Sequence, residues 1–282
     1  MALVFVHGGV AGAPNPERVP LADGVAEGAA AAGALDAVER AVRVLEDDPR
    51  LNAGYGAVLN LAGAVELDAG ISDGSTGRSG GVGNVSVAHP VSLARRVLEE
   101  TPHVLITGAG AAAFGAGMDE VSVAPDEVRR WEDARAEGRL HVARFGDPVE
   151  VDTVGAVACG AAGDLAAASS TGGVFGKMAG RMGDSAIFGA GHYASKAAAV
   201  VGTGVGEMFL EMLACARAGL LIEAGAHPQE ACERVIRLLR ARAALPAGLL
   251  ALDHAGRAGA AFRGGSWDVE GPEGPVEAVR LE

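Results

Sequence analysis

Asp152-Thr153-Val154-Gly155-Ala156-Val157-Ala158-Cys159 is the stretch at which the pattern of this chain changes. Val154, Ala156 and Ala158 alternate with Gly155, Val157 and Cys159, a turn runs from Gly160 to Asp164, and Leu165-Ala166-Ala167-Ala168 resumes the extended pattern. Small apolar residues on both alternating faces predict a hairpin in a sheet covered on both sides. Thr153 stands at its head. In mid-chain its hydroxyl is a weak nucleophile, because no strong base need lie beside it. At the start of a new chain its own α-amine, with a reference pKa of about 7.7–8.0, can take the proton directly or through water. One residue then supplies nucleophile and base. Most threonines in strands are nonetheless structural, so this reading needs partners elsewhere in the sequence.

Upstream, residues 3–7 read as a buried strand running into Gly8-Gly9. Residues 23–45 carry apolar side chains at helical spacing among many alanines, which predicts one long helix packed closely on a sheet. The turn-rich Leu51-Asn52-Ala53-Gly54-Tyr55-Gly56 follows, then short strands over residues 57–60 and 64–69. A helix over residues 90–99 begins at a proline. Residues 104–106 fit a short strand or a helix fragment; 127–142, the most charged part of the first half, fit an exposed helix or a slack connection ahead of Thr153. Downstream, helical periodicity spans residues 206–218 and 228–244, and residues 249–252 and 260–262 form a final strand pair. Two sheet halves, each with long helices, predict a two-sheet core covered by helices. An ordinary parallel-sheet fold stays open on pattern alone.

The 282 residues are 49% hydrophobic and 21% charged, enough for one large core. A formal charge of −13 with no Lys/Arg-rich run argues against nucleic acid and anionic membrane as partners. No apolar run reaches the roughly 18–20 residues of a membrane span, and residues 2–6 are too short a run for a signal peptide. Cys159, Cys215 and Cys232 are widely spaced and odd in number, which points to a reducing, cytoplasmic compartment rather than a disulfide framework. The 43 glycines follow no collagen-like period; many stand beside Asn, Asp, Ser and Thr, as in a site built from tight turns.

Three glycine-rich segments after Thr153 carry hydroxyl or charged side chains: Ser169-Ser170-Thr171-Gly172-Gly173, Gly180-Arg181-Met182-Gly183-Asp184-Ser185 and Gly202-Thr203-Gly204-Val205-Gly206-Glu207. Backbone N–H groups in such loops can stabilise an oxyanion. None has phosphate-loop spacing, and residues 202–207 miss the dinucleotide pattern by one position. The looser form, Gly108-Ala109-Gly110-Ala111-Ala112-Ala113, is weak in a chain so rich in glycine and alanine. Gly70-Ile71-Ser72-Asp73-Gly74 and Gly77-Arg78-Ser79-Gly80-Gly81 match a serine-hydrolase elbow, lack its following helix, and read as plain turns. The seven histidines make no close metal-binding pair.

Taken together, residues 152–158, Ser170-Thr171-Gly172-Gly173, residues 180–185 and Thr203-Gly204-Val205-Gly206-Glu207 resemble the plant-type (type III) asparaginase and isoaspartyl peptidase family of N-terminal-nucleophile threonine hydrolases. His7-Gly8-Gly9, Leu51 to Val58, Glu66-Leu67-Asp68-Ala69 and Ser72-Asp73-Gly74 agree in the expected order. The resemblance implies an α+β fold, a four-layer αββα sandwich forming one domain over residues 1–282. It implies self-cleavage between Asp152 and Thr153 into pieces 1–152 and 153–282, and association of two cleaved pairs. The implied substrates are the side-chain amide of asparagine and β-aspartyl peptide bonds, with no cofactor required.

By the same resemblance Thr153 is the nucleophile, Thr171 orients it, and Thr203 and Gly204 form the oxyanion hole. Arg181 and Asp184 match the positions that recognise the substrate α-carboxylate and α-amine, chemically apt as a fork for carboxylate and an acceptor for ammonium; Gly206 matches a further substrate contact. Asn52 supports the nucleophile. A structural sodium ion would be held by backbone carbonyls of Leu45, Glu46, Asp48, Leu51, Ala53 and Tyr55. One departure stands out: many asparaginases have glycine before the nucleophile, whereas Asp152 is shared with glycosylasparaginases and threonine-aspartase proteases. A glycosylasparaginase is therefore the alternative within the family, and a non-catalytic ligand-binding relative the alternative outside enzymes.

Overall fold

In the computed structural model, which describes residues 1–11, 21–142 and 152–282, the first half runs β1 (Leu3–Ala11), α1 (Ala22–Ala29), α2 (Ala34–Glu46), β2 (Leu67–Asp73), β3 (Arg78–Val85), α3 (Pro90–Glu100), β4 (Leu105–Thr107), α4 (Gly108–Phe114) and α5 (Pro125–Ala136). After Thr153 come β5 (Val154–Cys159), β6 (Leu165–Thr171), β7 (His192–Ala194), β8 (Ala198–Gly204), α6 (Gly206–Met212), α7 (Ala214–Glu223) and α8 (Pro228–Arg242). The chain ends in β9 (Ala247–Asp253), β10 (Ala258–Arg263), β11 (Ser266–Gly271), β12 (Gly274–Pro275) and β13 (Val279–Arg280).

The expected hairpin is β5–β6, and it sits mid-sheet. Eight strands pair in the order β12-β11-β1-β5-β6-β2-β3-β4, and five in the order β13-β10-β9-β8-β7. Val154, Ala156, Ala158, Ala166 and Ala168 project from one face into a core shared with α1–α4. Val157, Leu165 and Ala167 project from the other against β8 and β9, and α6–α8 pack within the same core beyond the smaller sheet. Alternation with period two thus feeds two cores from one strand pair. The result is the α+β four-layer sandwich.

Several elements differ from expectation for identifiable reasons. The helix over residues 23–45 is broken into α1 and α2. Ala34 N–H donates to the Asp164 carboxylate at 2.6 Å and Ala161 N–H to the Ala32 carbonyl at 3.2 Å, so the β5–β6 turn caps α2 and holds the break. The helix over 206–218 is split at Leu213, which takes a left-handed conformation (φ 47°) between α6 and α7. No strand forms over residues 57–60; Asn60 Oδ1 instead accepts from Ala62 N–H at 2.9 Å and Ala64 N–H at 3.0 Å, making a side-chain turn. Ser72 and Ser79 lie in β2 and β3 rather than in turns. The pair β9–β10 is not final: β11 follows and crosses to the large sheet, antiparallel to β1. Of the charged segment over 127–142, the part up to Ala136 is helix α5; residues 143–151 of the connection lie outside the described residues.

Candidate active site

Sheet register brings the site together. Val154 pairs with Ser170, which sets Thr153 beside Thr171 where β5 begins and β6 ends. The Thr153 hydroxyl donates to Thr171 Oγ1 at 3.2 Å, and the Thr171 hydroxyl donates to the Asp152 carbonyl oxygen at 3.0 Å. Gly173 N–H donates to Thr171 Oγ1 at 3.0 Å, which fixes that hydroxyl. The Asn52 side-chain amide also donates to the Asp152 carbonyl, at 3.2 Å, and to the Gly173 carbonyl at 2.7 Å. Asn52 is itself held through its Oδ1, which accepts from Val58 N–H at 3.1 Å. The carbonyl preceding Thr153 therefore has two donors, and both are locked by other bonds.

The Asp152 carboxylate accepts from the Thr153 N–H at 2.9 Å. It lies over Gly9, where φ is +102° and an added Cβ would stand 1.2 Å from Asp152 Oδ1. Only glycine fits that seat. His7, two residues earlier, is fully buried, and burial pushes its imidazole down to about 3, so it is neutral. It packs on Gly155, where an added Cβ would lie 2.4 Å from His7 Nε2, and against the Trp267 ring at 5.6 Å.

A pocket opens beside Thr153. Thr171, Arg181, Asp184, Gly204 and Gly206 line it, together with Asp152, Gly173, Val174 and Gly183. Arg181 and Asp184 do not pair with each other: Arg181 donates from Nε and Nη2 to the Glu207 carboxylate at 3.0 and 2.9 Å. Asp184 is buried, its Oδ2 has no hydrogen-bond partner, and burial pushes its carboxyl up to about 7 against the opposing pull of Arg181. Such a group is an acceptor awaiting a cation or a donor. Thr203 is buried outside the pocket lining, and its Oγ1 accepts from Val10 N–H at 3.4 Å, leaving its hydrogen to donate. Asp68 supports the loop beneath the pocket, accepting from Gly183 N–H and Asn84 N–H, each at 3.0 Å. Lys177, also buried, donates to the Glu66 carbonyl at 2.7 Å.

The asparaginase family profile matches residues 20–267. An isoaspartyl peptidase of Salmonella typhimurium is 43% identical over 242 residues, covering 81% of this chain and 77% of the relative. This chain belongs to the plant-type asparaginase and isoaspartyl peptidase family. A plant-type L-asparaginase of Pyrococcus furiosus is 40% identical over 261 residues, 84% of this chain and 85% of its own length. An isoaspartyl peptidase/L-asparaginase of Danio rerio is 37% identical over 277 residues, 93% and 89% of the two chains.

Within this asparaginase-family site, sequence reasoning missed Gly9, Gly173, Gly183, Asp68 and Glu207. His7-Gly8-Gly9 and Glu66-Leu67-Asp68 stood out as patterns, but only the folded chain sets Gly9 under the Asp152 carboxylate and Asp68 under Gly183. Glu207 closes a motif whose glycines drew the attention. Among the described residues no group of three or more His, Cys, Asp or Glu could hold a metal ion, and no helix is long and apolar enough to cross a membrane.

Proposed function

We infer that this chain cleaves itself between Asp152 and Thr153, and that the freed Thr153 hydrolyses the side-chain amide of L-asparagine and the β-linkage of isoaspartyl peptides. The observation that carries the reading is the doubly held Asp152 carbonyl beside the Thr153 hydroxyl. Attack of Thr153 Oγ on the Asp152 carbonyl carbon places negative charge on an oxygen already facing the Asn52 amide and the Thr171 hydroxyl, the arrangement that stabilises a tetrahedral intermediate. Collapse moves the acyl group from nitrogen to oxygen. Water then hydrolyses the ester, leaving an Asp152 carboxylate and a free Thr153 amine.

In the mature site that amine takes the Thr153 hydroxyl proton as Oγ attacks the substrate amide carbon. The Gly204 N–H and the Thr203 hydroxyl receive the oxyanion. Ammonia, or the downstream peptide, leaves with the proton. Water then cleaves the acyl-enzyme and releases aspartate. Arg181 holds the substrate α-carboxylate, Asp184 its ammonium, and Gly206 the wall between them. Both substrates present the same free α-carboxylate and α-amine, which is why one clamp serves both.

The same reading gives one domain over 1–282, pieces 1–152 and 153–282 that stay together, and a dimer of cleaved pairs. Three free thiols, Cys159, Cys215 and Cys232, support a reducing cytoplasmic setting. The chemistry requires no cofactor. A structural sodium ion would be held on the loop after α2 by backbone carbonyl oxygens that include those of Asp48 and Leu51, donors that suit a hard cation. Leu45, Glu46, Ala53 and Tyr55 would complete the set.

Mass spectrometry of the purified protein tests the central step: a second chain should begin at Thr153. Thr153→Ala should stay intact and inactive. An intact wild-type chain with full hydrolase activity would sink the self-processing mechanism. Glycosylated asparagine belongs in the same assay, because exclusive turnover there would make the protein a glycosylasparaginase instead.

A further inference from the structure

Glu207 has no part in the chemistry above, yet it makes the closest contacts of Arg181. It stands in the first turn of α6, with its side chain 45% exposed against 17% for Arg181. A guanidinium carries five N–H donors on two forked edges, Nε/Nη2 and Nη1/Nη2. Glu207 fills the first edge at 3.0 and 2.9 Å. The second edge keeps one hydrogen on Nη1 and one on Nη2.

That second edge lies among glycines of the pocket wall. An added Cβ would stand 3.0 Å from Nη1 at Gly183, 3.2 Å from Nη1 at Gly173, and 3.0 Å from Nη2 at Gly206. All three glycines line the pocket beside Thr153, and Glu207 does not. A carboxylate masking Arg181 from substrate would occupy the pocket-side edge. Glu207 occupies the other, so the guanidinium can hold two carboxylates at once.

We propose that Glu207 is a positioning residue for substrate recognition: it fixes the plane of the Arg181 guanidinium so that the Nη1/Nη2 edge faces the pocket and grips the substrate α-carboxylate. The proposal rests on Arg181 being the carboxylate holder. Its physical need lies in the neighbourhood. Asp184 Oδ1 would stand 2.8 Å from the same Gly206 Cβ position that Arg181 Nη2 approaches at 3.0 Å. Released from Glu207, Arg181 would turn to that buried carboxylate, and one internal pair would silence both halves of the clamp. Burial alone would raise the Glu207 carboxyl, but the hydrogen bonds from Arg181 hold it below its ordinary value, so it stays charged in the working range.

The test is steady-state kinetics with asparagine on self-cleaved Glu207→Gln and Glu207→Asp, beside Arg181→Ala and the Glu207→Gln/Arg181→Ala double variant. Mass spectrometry should show normal cleavage in every variant, since processing uses no substrate carboxylate. Glu207→Gln should raise KM about ten-fold with kcat within two-fold, and Glu207→Asp, which keeps the charge, should fall between it and wild type. The double variant should be no worse than Arg181→Ala alone. A KM that is unchanged or lowered in Glu207→Gln, a loss confined to kcat, or fully additive losses in the double variant would overturn the proposal. Should Arg181→Ala keep the wild-type KM, the carboxylate reading of Arg181 itself falls, whatever Glu207 does.

Discussion

At the scale of single residues, the site combines hydroxyls whose partners are fixed before any substrate arrives with a buried carboxylate, Asp184, whose Oδ2 still has none. Thr171 is both acceptor from Thr153 and donor to the Asp152 carbonyl. Thr171→Val keeps the shape and removes both roles, so self-cleavage should slow by roughly 10²–10³-fold, the usual effect of losing one oxyanion donor. Timed gel analysis of the freshly made chain measures it; normal cleavage would assign the carbonyl to Asn52 alone. Asp184 predicts a pH dependence. Its carboxyl, raised to about 7 by burial, must be ionised to hold an ammonium, so the free enzyme loses substrate affinity as pH falls through that value. The Thr153 amine, with a reference value of about 7.7–8.0, must also be unprotonated to act as base. kcat/KM should therefore fall with a slope approaching two on the acid side, while kcat, measured with the ammonium already bound against Asp184, falls with a slope of one. Asp184→Asn should reduce the kcat/KM slope to one. Stability has its own sign: the folded state binds a proton here more tightly than the unfolded chain, so this group destabilises increasingly as pH rises from the ordinary carboxylate value to about 7 and no further above it.

At the scale of elements, the sequence was clearest where periodicity alone decides the outcome. Val154, Ala156 and Ala158 alternate because β5 feeds two cores, and the same alternation in β6 made the hairpin legible. It was least clear where a distant residue decides. The break between α1 and α2 is held by Asp164, 130 positions away from the Ala34 N–H it accepts. The strand β8, Ala198–Gly204, is buried throughout and shows no polar face, so it has no alternation to find. The site was legible to the same degree: Thr153, Thr171, Arg181, Asp184, Gly204 and Gly206 meet at one pocket, whereas Gly9 and Glu207 gain meaning only once the strands and loop are folded. Two variants test these long-range ties. Asp164→Ala leaves the first N–H of α2 without its acceptor and should cost about 1 kcal/mol, the usual effect of losing a helix cap, read as a lower urea midpoint with self-cleavage retained. Gly9→Ala sets a methyl where the Asp152 carboxylate sits, so the chain should fold and remain uncleaved. Normal cleavage in Gly9→Ala would mean that the carboxylate seat is irrelevant to processing.

At the scale of the whole molecule, the proposed cleavage and the proposed substrate binding would use the same space. Before cleavage Asp152 forms part of the pocket wall, its carbonyl holds the Thr171 hydroxyl and the Asn52 amide, and Thr153 has a peptide nitrogen in place of an amine. Asp152 thus stands beside Arg181, Asp184 and Gly204 in the space a substrate would enter, and it keeps the Thr171 hydroxyl and the Asn52 amide engaged. On the proposed mechanism cleavage frees the Asp152 end to leave, and the two pieces should stay joined because β1 of the first pairs with β5 and β11 of the second, and β2 of the first with β6 of the second. The fold should therefore survive a cut in its backbone, because the large sheet interleaves strands from both sides of the Asp152–Thr153 bond. It follows that the uncleaved molecule should bind the product poorly. A ligand that binds only the cleaved form stabilises it by RT ln(1 + [L]/Kd), about 2.7 kcal/mol at a hundred times Kd. Thermal melts in a titration of L-aspartate should then show a concentration-dependent rise for the mature protein and none for uncleaved Thr153→Ala. Mature protein that still carries Arg181 and Asp184 but fails to respond would mean the pocket does not hold aspartate. An equal rise in both proteins would mean that the pocket is open before cleavage, and that Asp152 guards the nucleophile without blocking the site.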